Sequence, residues 1–121
     1  VQGATREAFE ESGLEVEVIA PPDLLAVDSP AVVPPPAVIL IEDIVRPDQP
    51  FHQHIDHVYF TRSLHQVDFA HPIPHGPSHW FTAEELAESF SLPAPDGTLV
   101  PVAEDVRLLG LRALIAAQQE P

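Results

Sequence analysis

The apolar positions change period several times along the chain, and each change marks an element. Residues 4–12 are rich in helix formers, and Gly13 followed by Leu14 reads as a helix stop with a left-handed glycine. From Leu14 to Ile19 the pattern switches to alternation, with Leu14, Val16 and Val18 set against Glu15 and Glu17, the period of a strand. Pro21, Pro22 and Asp23 punctuate it; Leu24 to Val27 then reads as a short strand, and Ser29 to Pro36 as a proline-rich loop. Residues 37–45 carry Val38, Ile39, Leu40, Ile41, Ile44 and Val45, and residues 54–62 carry Val58, Tyr59 and Phe60. With a turn over Pro47 to Pro50 between them, the two runs predict an antiparallel hairpin. His65 to Ser78 is broken by Pro72, Pro74, Gly76 and Pro77 and predicts a loop. Thr82 and Glu85 have capping-box spacing and predict a short helix ending near Phe90, after which Leu92 to Thr98 is turn-rich. Pro101 suits the first turn of a last helix, in which Val106, Leu109, Ala113 and Ala116 form an apolar stripe widened by Leu108, Leu111, Leu114 and Ile115.

There is no internal repeat and no sign of a second domain, so residues 1–121 read as one α/β unit, with 45% hydrophobic residues to supply a core. The charge is lopsided: 19 acids face five arginines, there is no lysine, and the formal net charge is −14. A surface of that sign repels a nucleic-acid backbone, so no polymer of that kind is expected as a partner. The chain has no cysteine, which removes disulfides and thiol chemistry. No apolar run reaches the roughly 18 residues of a membrane span, and nothing resembles a signal peptide, so a cytoplasmic location is the default. The absence of methionine, with Val1 first, reads as an incomplete gene product.

The chemistry-bearing segment is Arg6-Glu7-Ala8-Phe9-Glu10-Glu11-Ser12-Gly13-Leu14. On a helix, Glu7, Glu10 and Glu11 stand at i, i+3 and i+4, so their carboxylates share a face. Like charges that close repel unless a cation neutralises them, and carboxylate oxygens suit a hard cation such as magnesium. Arg6 lies one turn before Glu10 and is also placed to hold Glu7 or an upstream acid. From the charge pattern alone, a solvated acidic helix face with one ion pair is the alternative.

The segment resembles the second half of the Nudix box, G-x5-E-x7-R-E-U-x-E-E-x-G-U, with U a bulky apolar residue. Arg6, Glu7, Glu10, Glu11, Gly13 and Leu14 match, and Ala8 is a small residue at U. Trp80-Phe-Thr-Ala-Glu-Glu-Leu86 is similar to the tryptophan-containing segment that leads into the family's short acidic helix, and residues 101–117 to its closing helix. The resemblance implies a Nudix-type α/β/α sandwich with a mixed sheet, here a single domain lacking its N-terminal strands. The first glycine and glutamate of the box would lie before Val1. The loop from His71 to His79 has no carboxylate where many members place one, and Asp68 is the nearest.

The activity implied is metal-dependent hydrolysis of the pyrophosphate linkage in a nucleoside diphosphate linked to a group X, with Mg2+ or Mn2+ as cofactor. Glu10 and Glu11 would be metal ligands and Glu7 a ligand or general base, with Arg6 orienting it; Glu11 also counts among the catalytic residues. Lacking part of the box, the chain is expected to be inactive on its own. A Nudix-fold module that binds a nucleotide without hydrolysing it is the other reading. The expected partners are a small nucleotide and, for assembly, a second copy in a homodimer. Isomerisation of an isoprenoid diphosphate is disfavoured because that relative uses a cysteine.

All seven histidines lie between residues 52 and 79. His52, His54 and Asp56 alternate and would share a strand face, a pattern open to a transition metal but read here as plain surface or a polar cleft edge. His71, His75 and His79 read as loop residues. Tyr59, Phe60, Trp80 and Phe81 suit a core, with Trp80 or Phe81 a candidate wall for a nucleotide.

Overall fold

The computed structural model describes residues 1–70, 73 and 78–119. In chain order the elements are α1 (Gln2–Ser12), β1 (Val16–Val18), β2 (Val38–Ile44), β3 (His52–Val58), β4 (Thr61–Ser63), α2 (Ala83–Ala87), β5 (Ser91–Pro93), β6 (Leu99–Pro101) and α3 (Glu104–Gln118). The α/β content is as the periodicity implies. All strand pairs are antiparallel: β1 with β4, β2 with β3, and β5 with β6.

α1 ends where glycine permits it to. Gly13 sits at φ 75°, in the left-handed region, and its N–H donates to the Phe9 carbonyl at 2.8 Å. Ser12 Oγ donates to the Ala8 carbonyl at 2.5 Å and accepts from the Leu14 N–H at 3.1 Å, so the chain leaves the helix directly into β1. Ala4, Ala8 and Ser12, spaced four apart, are the half-buried side, while Glu7, Glu10 and Glu11 are exposed.

β1 and β2 lie end to end on one edge of the segment 52–64. The Phe60 carbonyl accepts from the Ile19 N–H at 2.8 Å, the Leu64 N–H donates to the Glu15 carbonyl at 2.9 Å, and the Val58 carbonyl accepts from the Ala37 N–H at 2.8 Å. In an extended chain, alternate residues turn their backbone groups to the same side. Residues 58, 60 and 64 therefore face the β1–β2 edge, and residues 20–36 leave that edge and return to it. The expected strand over 54–62 is accordingly split at Tyr59 and Phe60, where the partner strand changes from β2 to β1.

The helical layer is anchored at one point. Leu86 of α2, 6% exposed, is the buried apolar residue among those described, and it packs where α2 meets α3. A Cβ built on Gly110 of α3 would lie 2.9 Å from Leu86 Cδ1, so glycine lets the helices approach closely. α3 meets β4 through Arg62, whose Nη2 donates to the Ala117 carbonyl at 2.9 Å. This puts a cation at a helix C-terminus whose last turn has no basic residue of its own.

Two local expectations are corrected, and the turn-rich stretch over 92–98 is extended into a hairpin. Residues 24–27 form no strand; Leu25 and Val27 are exposed and find no ladder partner in the proline-flanked loop. Residues 91–101 form a hairpin, because Gly97 at φ 86° and the Asp96 side chain, accepting from the Thr98 N–H and hydroxyl, close a tight turn. Pro101 belongs to β6, and α3 starts three residues later with Glu104 and Asp105 at its positive end.

Candidate functional site

α1 presents the charged set on its solvent side. Arg6 Nε is 3.6 Å from Glu10 Oε1, and Arg6 Nη2 is 4.0 Å from Glu7 Oε1, so one guanidinium bridges two of the three acids. The side chains of Glu7 and Glu10 are 65% and 58% exposed. Glu10 and Glu11 line a cleft of about 800 Å³ with Ser12, Ile73 and Ser78. Glu11 also lines a neighbouring cavity of about 430 Å³, whose walls include Leu14, Thr61, Phe69 and Trp80. Glu7 borders neither cavity. The structure thus brings Glu10, Glu11 and Trp80 around adjoining hollows, and leaves Glu7 on the outer side, held by Arg6.

The second cavity joins a carboxylate to an aromatic wall. Phe69 and Trp80 meet edge to face with ring centroids 5.1 Å apart, and Trp80 stays 42% exposed. An exposed indole held by a second ring offers a stacking surface for a planar group. Trp80 was a candidate from the sequence, whereas Phe69 carried no motif; only its contact with Trp80 reveals it. Phe81 turns instead to Phe90 and His79, with centroids 6.2 Å and 4.6 Å away, and does not line the hollow.

The donor set fits a hard divalent cation in a limited sense. Magnesium is commonly held by one or two protein carboxylates, completing its shell with water and substrate oxygens, and Glu10 with Glu11 supplies such a pair. A preassembled cage is absent: among the described residues no three His, Cys, Asp or Glu side chains converge to hold a metal. That applies to Glu7, Glu10 and Glu11 together, and to the strand group of His52, His54 and Asp56. His52 and His54 tilt toward each other at 5.1 Å, but His54 opposes Glu42 across the ladder and Asp56 opposes Leu40. His71 and His75 lie outside the described residues. His79 pairs with Glu85, Nε2 to Oε2 3.3 Å.

No helix among the described residues is long and apolar enough to cross a membrane. In comparisons with known proteins, no protein-family model, no curated protein and no solved structure matches this chain.

Proposed function

We propose that the chain carries the acidic helix of a Nudix-type, metal-dependent hydrolase that cleaves the pyrophosphate linkage of a nucleoside diphosphate joined to a group X. The carrying observation is that the Arg6–Leu14 segment is a helix closed by a left-handed Gly13, with Glu10 and Glu11 on a shared cleft. In this reading the small sheets and flanking helices are parts of a Nudix sandwich. Glu10 and Glu11 are the ligands for Mg2+ or Mn2+, and Glu7, steered by Arg6, is the third ligand or general base. Magnesium held there would neutralise the clustered carboxylates and a substrate's phosphate charge, and lower the pKa of a water. Arg6 limits the repulsion within the helix face before any cation arrives. Trp80 and Phe69 offer the base a stacking wall beside Glu11.

Formation of nucleoside monophosphate and phospho-X from nucleoside diphosphate conjugates, measured with and without Mg2+, tests the reading. Turnover that needs the cation and is lost in Glu11→Gln supports it; turnover indifferent to that substitution removes the assignment. The absence of a preformed three-ligand group among the described residues favours a second reading, a nucleotide-binding module that does not hydrolyse. Nucleotide binding without turnover, with Mg2+ present, would select it.

A further inference from the structure

His52 and His54 of β3 are two residues apart on one strand, so their side chains rise from the same face of the β2–β3 ladder. Their rings tilt toward each other, with centroids 5.1 Å apart and planes inclined by 58°. His52 Nδ1 lies 2.9 Å from the Pro50 carbonyl oxygen. A carbonyl oxygen only accepts, so Nδ1 carries a proton, and in the neutral ring Nε2 keeps a lone pair. His54 makes no hydrogen bond among the described residues, which leaves its ring nitrogens uncommitted. Glu42 stands opposite His54 in the ladder and therefore on the same face.

We propose that His52 and His54 form a two-imidazole site for a borderline divalent transition ion of the zinc class, separate from the carboxylates of α1. The ring spacing carries the argument. Zinc–imidazole bonds of about 2.0–2.1 Å put an ion about 3.2 Å from each ring centre. Two rings meeting on one ion at a tetrahedral angle then have their centres roughly 5.2 Å apart. The observed 5.1 Å matches that separation, so the strand already holds the rings at chelating distance. The hydrogen bond of His52 is independent support. Imidazoles that ligate metals donate their other ring N–H to a carboxylate or backbone carbonyl, which fixes tautomer and orientation, and Pro50 supplies that carbonyl. Asp56, which the alternation groups with the two histidines, stands opposite Leu40, and no three side chains converge among the described residues. Water therefore completes the shell, with the Glu42 charge on the same face. Imidazole suits zinc, nickel and copper, whereas magnesium takes oxygen ligands. The two places thus sort ions by donor type, nitrogen on β3 and oxygen on α1. Every residue invoked lies within one hairpin, between Glu42 and His54.

Isothermal titration calorimetry with Zn2+ in a non-chelating buffer tests this, and NMR of the imidazole ring signals locates the ion. Zn2+ should bind and shift the His52 and His54 rings before those of the other histidines. His52→Gln and His54→Gln should each weaken that binding about tenfold or more, with far-UV circular dichroism checking that both variants fold. Mg2+ at the same concentration should not compete. His57→Gln, on the opposite face of β3, and Glu11→Gln should leave Zn2+ binding unchanged. Absence of binding, or ring shifts that begin at other histidines, overturns the proposal. So does binding unmoved by His52→Gln or His54→Gln, or binding lost in Glu11→Gln, which would put the ion on α1.

Discussion

Arg6 and Glu10 are one helical turn apart and in contact, Nε to Oε1 3.6 Å, with both side chains more than half exposed. The guanidinium thus lies along the face where Glu7, Glu10 and Glu11 repel one another. An exposed i, i+4 pair contributes only about 0.3–0.5 kcal/mol, and salt screens it. Arg6→Ala should accordingly lower the unfolding free energy by no more than about 0.5 kcal/mol in low salt, and by less in 1 M salt. Urea titrations at the two ionic strengths measure this. A loss of several kcal/mol that persists in salt would mean Arg6 is a buried strut.

Glu11 and Trp80 line one cavity and should fail differently when changed. Glu11→Gln keeps the side chain's size while removing the charge a divalent cation needs, so kcat should fall by about 100-fold or more. Trp80→Ala removes a stacking surface worth roughly 1–3 kcal/mol per base, so KM should rise about tenfold or more with kcat largely kept. Steady-state kinetics with Mg2+ saturating separate the two. A Trp80→Ala variant that loses kcat at unchanged KM would place the indole in the chemistry rather than in binding.

The acidic helix was legible because three local signals agree: helix formers up to Ser12, a glycine at the stop, and alternation from Leu14 onward. The capping box at Thr82 and Glu85 was legible for the same reason, since its hydrogen bonds span three residues. What escaped the sequence depends on partners distant in the chain. Leu92 and Val100 pair only because Gly97 and Asp96 turn the backbone between them. Phe69 becomes a cavity wall only through Trp80, eleven positions on. The paired edges of residues 52–64 depend on where the loop 20–36 returns, which periodicity does not encode.

Glu85 ties α2 to the preceding chain and makes that tie sensitive to acid. Its Oε1 accepts from the Thr82 N–H at 3.1 Å, and its Oε2 lies 3.3 Å from His79 Nε2. The Thr82 backbone hydrogen bond foremost, helped by the imidazole, holds its carboxyl below the ordinary glutamate value. A carboxylate depressed in the folded state stabilises the fold above its unfolded pKa, and that contribution disappears as pH falls through the folded value. The stability difference between wild type and Glu85→Gln should therefore be widest near neutrality and close in the acid range below the ordinary glutamate pKa. Thermal unfolding of both proteins from pH 7 to pH 3 checks it, and a gap that widens on acidification would reverse the assignment.

The junction of α2 with α3 should be the most sensitive packing site. Leu86 is 6% exposed, so its truncation loses transfer free energy and leaves a cavity in contact with Gly110. Leu86→Ala is expected to cost about 2–3 kcal/mol, the lower part of the range for buried leucine. Gly110→Ala sets two effects against each other. Alanine favours the helix by about 1 kcal/mol, but its methyl would sit 2.9 Å from Leu86 Cδ1, the mobile end of a side chain. Gly110→Ala should thus be close to neutral, whereas Gly110→Val, which adds branched bulk at the same contact, should destabilise by about 1–3 kcal/mol. In the Leu86→Ala background the contact is gone, and Gly110→Val should lose most of its penalty. A double-mutant cycle by chemical denaturation measures that coupling, and strict additivity would show that the two residues do not meet.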